Sequence, residues 1–129
     1  FKNKEKRSNL ILATKVVGNG FKFIRDGGPI NGAIIKEALH GSLKRLKTDY
    51  VDLYQLHWPN RGSYHFRQNW EYDPSHQAKE RVIEEINCIV KKLNELKKQG
   101  KIREIGLSNE TSWGLIQFIN ATKEYEASC

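Results

Sequence analysis

The stretch YVDLYQLHWP, residues 50–59, decides how this chain folds. Its first nine residues include Val51 and three aromatic side chains, which favour β structure, and a proline stops the run, so the pattern predicts a β-strand. A nearly continuous apolar run, LILATKVV at 10–17, precedes it and ends at Gly18. Such a run is typical of a strand that is covered on both faces. The sequence KIREIGL at 101–107 predicts a third strand.

Segments with helical spacing follow each of these strands. Apolar residues recur three or four positions apart between Ile35 and Leu46, behind Asn31 as a candidate cap. From Val82 to Leu96 the apolar steps are four, three, four and three, and Gly100 marks the end. Polar residues 108–111 offer caps for a last helix. The order β-α-β-α-β-α requires parallel strands joined by crossovers, so the predicted fold class is α/β.

The number of units leaves two architectures open. A closed barrel of eight strands and eight helices takes about 250 residues, because each strand is followed by its own helix. This chain has 129 residues and three such units. Three strands cannot close a barrel, and they leave both edges of the sheet unprotected. The chain is therefore either a three-layer open fold or part of a barrel.

Composition and charge exclude several classes of protein. The chain carries 22 Lys and Arg against 15 Asp and Glu, a net charge of +7. The basic residues are dispersed over 2–7, 44–47 and 97–103 without a recognition motif, so we expect no nucleic-acid partner. No apolar run is long enough to span a membrane, and the first residues lack the apolar stretch of a signal peptide. Cys88 and Cys129 form no metal or redox spacing, which favours a reducing cytoplasmic compartment.

Polar side chains stand at the carboxyl end of each predicted strand, where parallel α/β folds carry their sites. Lys15 lies near the end of the first strand, His57 near the end of the second, and Ser108 and Asn109 follow the third. A lysine in a run that should be buried costs stability unless it has a partner. Because side chains alternate along a strand, we expect Lys15 and His57 to point to the same side of the sheet.

Three ordered motifs resemble the aldo-keto reductases. They are LATKV at 12–16, the segment from IKEALHGSLKRL at 35–46 to DYVDLYQLHWP at 49–59, and GKIREIGLSNE at 100–110. The resemblance extends over almost the whole chain, and the long insert after His-Trp-Pro is similar to the bacterial Tas-like branch. It implies a (β/α)8 TIM barrel, of which residues 1–129 form three consecutive units, roughly the third to the fifth.

The same resemblance implies an NADPH-dependent oxidoreductase that reduces an aldehyde or ketone, a small carbonyl substrate, to an alcohol. Lys15 matches the lysine that lowers the pKa of a catalytic tyrosine, and His57 matches the histidine that orients the carbonyl. A tyrosine with its ordinary pKa of about 10 needs a nearby ammonium to exchange protons near neutral pH. Ser108 and Asn109 match the pair that hydrogen-bonds the nicotinamide carboxamide, and Trp58 falls in the substrate pocket.

Simpler structural roles remain open for these residues. Lys15 suits a strand end that extends its ammonium into water, and His57 suits a hydrogen-bonded core position. The pair Ser108 and Asn109 is by composition an ordinary helix cap.

A long segment at 60–77 follows the second strand. It predicts either a loop that shapes a substrate pocket or a mobile surface insert. Because His57, His65 and His76 lack the close spacing of zinc ligands, we expect no metal site. The other aromatic residues of the segment are Tyr64, Phe66, Trp70 and Tyr72.

The chain departs from the family pattern at both ends. The family's catalytic Asp and Tyr precede the lysine strand, and residues 1–9 contain neither. The spacing of Tyr64 and Tyr72 does not place them beside Lys15 as substitutes. Since the family's phosphate and adenosine contacts come from later strands, we expect an internal fragment that is inactive alone. The alternative is a non-catalytic interaction module, similar to the family's channel-associated regulatory subunits; the oligomeric state is left open.

Overall fold

The structure, a computed structural model, describes residues 4–65 and 69–128. Phe66 and Cys129 lie outside the described residues. The predicted order β-α-β-α-β-α is confirmed, with one short helix before it. The elements are α1 (Lys4–Ser8), β1 (Ala13–Val16), a 3₁₀ turn (Arg25–Gly27), α2 (Gly32–Leu46), β2 (Val51–Leu56), α3 (Lys79–Lys98), β3 (Ile102–Leu107) and α4 (Ser112–Ala127).

The three strands form one parallel sheet in the order β1-β2-β3. Lys15 lies opposite Gln55 of β2, which lies opposite Gly106 of β3. A Cβ atom on Gly106 would lie 3.0 Å from Gln55 Cγ and 3.1 Å from Leu53 Cδ1, so glycine lets both side chains pack over β3. The predicted α/β class with parallel, adjacent strands is therefore confirmed.

Side-chain caps begin two of the long helices. Asn31 Oδ1 accepts a hydrogen bond from the Ile34 N–H at 3.0 Å, as predicted for α2. Among the polar residues before α4, Thr111 is the cap, and its Oγ1 accepts from the Gly114 N–H at 3.2 Å. Helix α3 begins at Lys79, three residues before the apolar spacing that predicts it. Its first turn is polar and exposed, so apolar spacing does not reveal this start.

None of the described helices is both long and apolar enough to cross a membrane.

The core lies between the sheet and the long helices. In β1, Val16 is buried, whereas Ala13 and Lys15 are exposed. The prediction that this strand is covered on both faces is wrong for the described residues, because right-handed crossovers between strands in the sequential order β1-β2-β3 place the connecting helices on one face of the sheet. The strand is also shorter than predicted, and Ile11 before it is 89% exposed. The largest fully buried side chains are Tyr54, Ile35, Leu39, Leu93, Leu96, Ile102, Val16 and Val51.

A buried ion pair joins α1 to the start of β2. Arg7 Nη2 donates to Asp52 Oδ2 at 2.7 Å and to the Tyr50 carbonyl at 3.0 Å. Asp52 also accepts from the Leu12 N–H at 2.9 Å and from Arg103 Nη1 at 2.9 Å. The Tyr50 ring lies 4.0 and 4.4 Å from the two guanidinium carbons. Arg7, counted above among the dispersed basic residues, is only 4% exposed and is an internal anchor.

Candidate active site

The predicted site segments meet at the carboxyl edge of the sheet. The His57 N–H donates to the Val16 carbonyl at 3.0 Å, and the Ser108 N–H donates to the Leu56 carbonyl at 2.9 Å. Hydrogen bonds of the strand ladder therefore continue past the ends of the strands. They hold His57 beside the end of β1 and Ser108 beside the end of β2.

Lys15 and His57 belong to the same side of the sheet. Lys15 is aligned with Gln55, and side chains two positions apart on a strand point the same way, which places His57 on that side. Burial lowers the pKa of His57 below its ordinary value, and the positive charge of Lys15 lowers it further. The alignment of β1 with β2 and the effect of Lys15 on the pKa of His57 both agree with the predicted orientation. The imidazole is therefore neutral at neutral pH and able to donate a hydrogen bond from one nitrogen.

Replacing Lys15 by methionine is expected to raise the pKa of His57. The change removes the repulsion between the ammonium and the imidazolium, while the contribution of burial remains. An NMR titration of the imidazole protons, assigned with a His57→Gln variant, measures it. Lys36→Met, on the exposed side of α2, is the control and should leave the pKa unchanged. The same His57 pKa in Lys15→Met and in the parent would contradict the proximity of the two side chains.

Asn109 connects the end of β3 to His57. Its Nδ2 donates to the His57 carbonyl at 2.7 Å and to Ser108 Oγ at 3.1 Å. Its backbone has φ +54°, a left-handed conformation that asparagine tolerates better than most residues. The cap of α4 is Thr111, so Asn109 does not serve as the cap. The link to His57 is not foreseen from the sequence, where the one signal is an asparagine directly after a strand.

Trp58 forms one wall of a cleft between the loops that follow β1 and β2. Its Nε1 donates to the Asn19 carbonyl at 2.9 Å, and its ring centroid lies 5.5 Å from that of Phe21 and 4.3 Å from that of His57. A Cβ atom on Gly18 would lie 3.1 Å from the indole Nε1, so glycine allows the ring to approach the backbone after β1. The cleft has a volume of about 360 Å³. Its other lining residues are Gly20, Gly62, Ser63 and His65.

The long segment after β2 is anchored in its described part. The Asn60 side chain exchanges two hydrogen bonds with the backbone of Ile30, one to the carbonyl and one from the N–H, both 2.7 Å. Gln77 Nε2 donates to the Arg61 carbonyl at 2.9 Å and to the Tyr72 hydroxyl at 3.1 Å. These contacts favour a loop that shapes the cleft over a mobile surface insert.

The described tyrosines do not complete a proton-transfer site with Lys15. Tyr54 lies on the opposite face of the sheet, where its hydroxyl donates to the Ile35 carbonyl at 3.4 Å and burial raises its pKa. Tyr64 stacks on His65, with ring centroids 4.4 Å apart. None of the described tyrosines forms a hydrogen bond with Lys15, so the strand ends contribute a lysine and a histidine to the site.

Comparison with known proteins gives one consistent result. The model of the Aldo/keto reductase family matches residues 1–129. Protein tas of Escherichia coli is 38% identical over 124 residues, which are 93% of this chain and 34% of that protein. Aldo-keto reductase YhdN of Bacillus subtilis is 41% identical over 104 residues, 81% of this chain and 25% of that protein.

A solved structure has a similar fold over almost the whole of this chain. The holo form of aldo-keto reductase AKR11C1 from Bacillus halodurans is 35% identical and superimposes with a TM-score of 0.62, over 92% of this chain and 33% of that one. The chain therefore spans between about a quarter and a third of the length of these relatives.

Proposed function

Because the chain belongs to the aldo/keto reductase family, we propose that it supplies part of the active site of an NADPH-dependent oxidoreductase that reduces an aldehyde or ketone to an alcohol. The observation that carries this proposal is the shared face of Lys15 and His57, with Asn109 hydrogen-bonded to the His57 carbonyl. Residues 1–129 are proposed to form three consecutive units of the barrel, roughly the third to the fifth, in a cytoplasmic protein.

In this mechanism His57 donates a hydrogen bond to the substrate carbonyl. A neutral imidazole is suited to that role, because it can donate without bringing a full charge next to Lys15. The reduced substrate is an alkoxide that needs a proton. Lys15 is proposed to lower the pKa of the group that supplies this proton, in the family a tyrosine from the unit before β1. Trp58 is proposed to hold the substrate in the cleft next to His57.

The residues after β3 fit the carboxamide of a nicotinamide. Asn109 uses its Nδ2 on His57 and Ser108, and its Oδ1 accepts no hydrogen bond from a residue that the structure describes. That oxygen suits an amide donor, and the Ser108 hydroxyl suits an amide carbonyl. NADPH, when bound, supplies the hydride. Ser108 and Asn109 would orient its nicotinamide ring toward the face that carries His57.

The test compares the 129-residue chain with the complete protein, by which we mean the polypeptide encoded by the whole reading frame that contains this chain. Oxidation of NADPH is followed by absorbance with 4-nitrobenzaldehyde as the carbonyl substrate. We expect turnover by the complete protein. The 129-residue chain should neither turn over nor bind NADPH tightly, because the proton donor and the phosphate contacts are expected from other units of the barrel.

Two outcomes would contradict the proposal. A complete protein that binds NADPH without reducing any of a panel of aldehydes and ketones would support the non-catalytic interaction module instead. Equal turnover by the 129-residue chain would show that the units proposed to lie outside residues 1–129 are not needed for proton transfer.

A further inference from the structure

A second buried ion pair lies beside the candidate site and has no part in the proposed chemistry. Arg61 comes from the loop after β2 and Glu110 from the loop after β3; their side chains are each 6% exposed. Arg61 Nη1 donates to Glu110 Oε2 at 3.1 Å, and Arg61 Nη2 donates to Glu110 Oε1 and, at 3.1 Å, to Thr111 Oγ1. The guanidinium therefore binds the carboxylate with two parallel hydrogen bonds, which fix its orientation as well as its position.

The start of α4 is shaped around this pair. A Cβ atom on the buried Gly114 would overlap both the Glu110 carboxylate and the Arg61 guanidinium, so any other residue at this position would have to displace the ion pair. The Arg61 guanidinium carbon also lies 5.2 Å from the centroid of the Trp113 ring. Removing two charges from water costs free energy, and their mutual attraction only partly offsets this cost. A gain in stability is therefore a weak explanation for the presence of the pair.

The pair borders Ser108 and Asn109, the residues that we assign to the nicotinamide. Asn109 is tied to the His57 carbonyl, and the next residue, Glu110, is tied to Arg61. Both contacts are therefore made with the segment that follows β2, one at His57 and one at Arg61. The left-handed backbone of Asn109 costs some free energy even for asparagine, so neighbouring contacts help to hold it. The Asn109–His57 hydrogen bond and the Arg61–Glu110 ion pair lie on either side of this backbone.

We propose that Arg61 and Glu110 are positioning residues, which hold the Ser108–Asn109 turn in the conformation that binds the cofactor. This inference rests on the proposed function for its ligand, but its structural part does not. If only a tenth of the molecules kept the competent turn after the pair is broken, the dissociation constant for NADPH would rise about tenfold. Turnover at saturating NADPH would change much less, because bound cofactor selects the competent turn.

The experiment uses the complete protein with Glu110→Gln, Arg61→Met and Arg61→Lys. Arg61→Lys keeps the charge but loses the two-pronged geometry, so its effect should be intermediate. Arg81→Met breaks an exposed ion pair with Glu85 on α3, 3.6 Å long, and is the control. The measurements are the NADPH dissociation constant, the turnover at saturating NADPH, the melting temperature, and hydrogen exchange of the Ser108 amide without cofactor. That amide donates to the Leu56 carbonyl and makes no bond to the ion pair.

We expect the first two variants to weaken NADPH binding about tenfold, with turnover within about threefold of the parent and faster exchange at Ser108. Arg81→Met should match the parent in all four measurements. Unchanged exchange at Ser108 in Arg61→Met and Glu110→Gln would overturn the proposal. So would faster exchange spread equally over β2 and α3, which would mark a general structural role. If Glu110→Gln fails to fold, Arg61→Lys decides between these results.

The two proposals can fail separately. A parent protein that binds no NADPH refutes the proposed function, whereas the exchange of the Ser108 amide still decides whether the ion pair holds the turn. A parent that binds NADPH, with variants that bind it equally well, refutes the positioning role alone.

Discussion

Replacing Lys15 by methionine in the complete protein is expected to lower turnover by about 10²–10⁴-fold, the range typical of general acid–base catalysis, and to change NADPH affinity little. Methionine keeps an unbranched chain of similar length but removes the ammonium. Without that charge the proton donor keeps a pKa too high for exchange near neutral pH. Since we propose that Lys15 acts in proton transfer, the loss should fall on turnover.

The turnover number and the NADPH dissociation constant are measured separately, and turnover is followed over a range of pH. Lys36→Met, an exposed lysine of α2, is the matched control and should leave both quantities unchanged. Unchanged turnover with weakened NADPH binding would identify Lys15 as a cofactor ligand. In the Lys15→Met variant, the pH above which the remaining reductase activity falls should move upward if the donor has regained its ordinary pKa, because reduction needs the protonated donor.

The Asp52→Asn substitution is expected to reduce the free energy of unfolding by about 3–5 kcal/mol, the cost of removing one partner from a buried ion pair. The change leaves the charge of Arg7 uncompensated where that residue is only 4% exposed. It also weakens the acceptor for the Leu12 N–H and for Arg103. Urea unfolding of the complete protein measures the loss, and Asp49→Asn in the exposed turn before β2 should change stability by less than about 0.5 kcal/mol.

The same pair makes the stability depend on pH. Burial by itself raises the pKa of Asp52, but the hydrogen bond from the Leu12 N–H and the hydrogen bond and charge of Arg7, with the charge of Arg103, lower it below its ordinary value. The contribution is therefore complete above the pKa of the unfolded chain and is lost as the pH falls through the folded pKa, below about pH 4. Asp52→Asn should lose stability less steeply than the parent over this range. An equal slope would show that other carboxylates carry the acid sensitivity.

A second substitution separates the two causes of the destabilisation. If Asp52→Asn destabilises the fold because Arg7 is left unpaired, adding Arg7→Met should restore part of the loss, since no buried charge remains. If the loss comes from the backbone contact with Leu12, the double variant should be no more stable than Asp52→Asn.

The order and type of the long elements follow from the sequence alone, because each depends on neighbours within one or two turns. The spacing of apolar residues from Ile35 to Leu46 and the cap at Asn31 predict α2 correctly. The run over residues 50–58 predicts β2 and exceeds it by a residue or two at each end. Placing Lys15 and His57 at the ends of adjacent parallel strands needs only the alternation of side chains and the order of the units.

The face of β1 is a different case. The apolar run at 10–17 predicts a strand covered on both sides, yet Ala13 and Lys15 are exposed. An apolar run indicates that its residues suit buried positions, but it does not indicate which segment of the chain covers them. Ala13 and Lys15 lie on the face of the sheet that the described helices do not cover and are open to solvent, whereas Val51 and Ile102, at the start of their strands, are buried.

Only the tertiary structure decided which side chains join the loops and ends of the sheet. Asn109 meets His57 across 52 positions of sequence, Arg61 meets Glu110 across 49, and Arg7 meets Asp52 across 45. The sequence patterns do not predict these pairs, because each forms where the register of the sheet and the course of the loops bring two distant residues together. The sequence by itself determined the strands, the helices and the residues at the strand ends. The pairing of charges was decided by the packed fold, since an ion pair forms between groups that are close in space, whatever their separation along the chain.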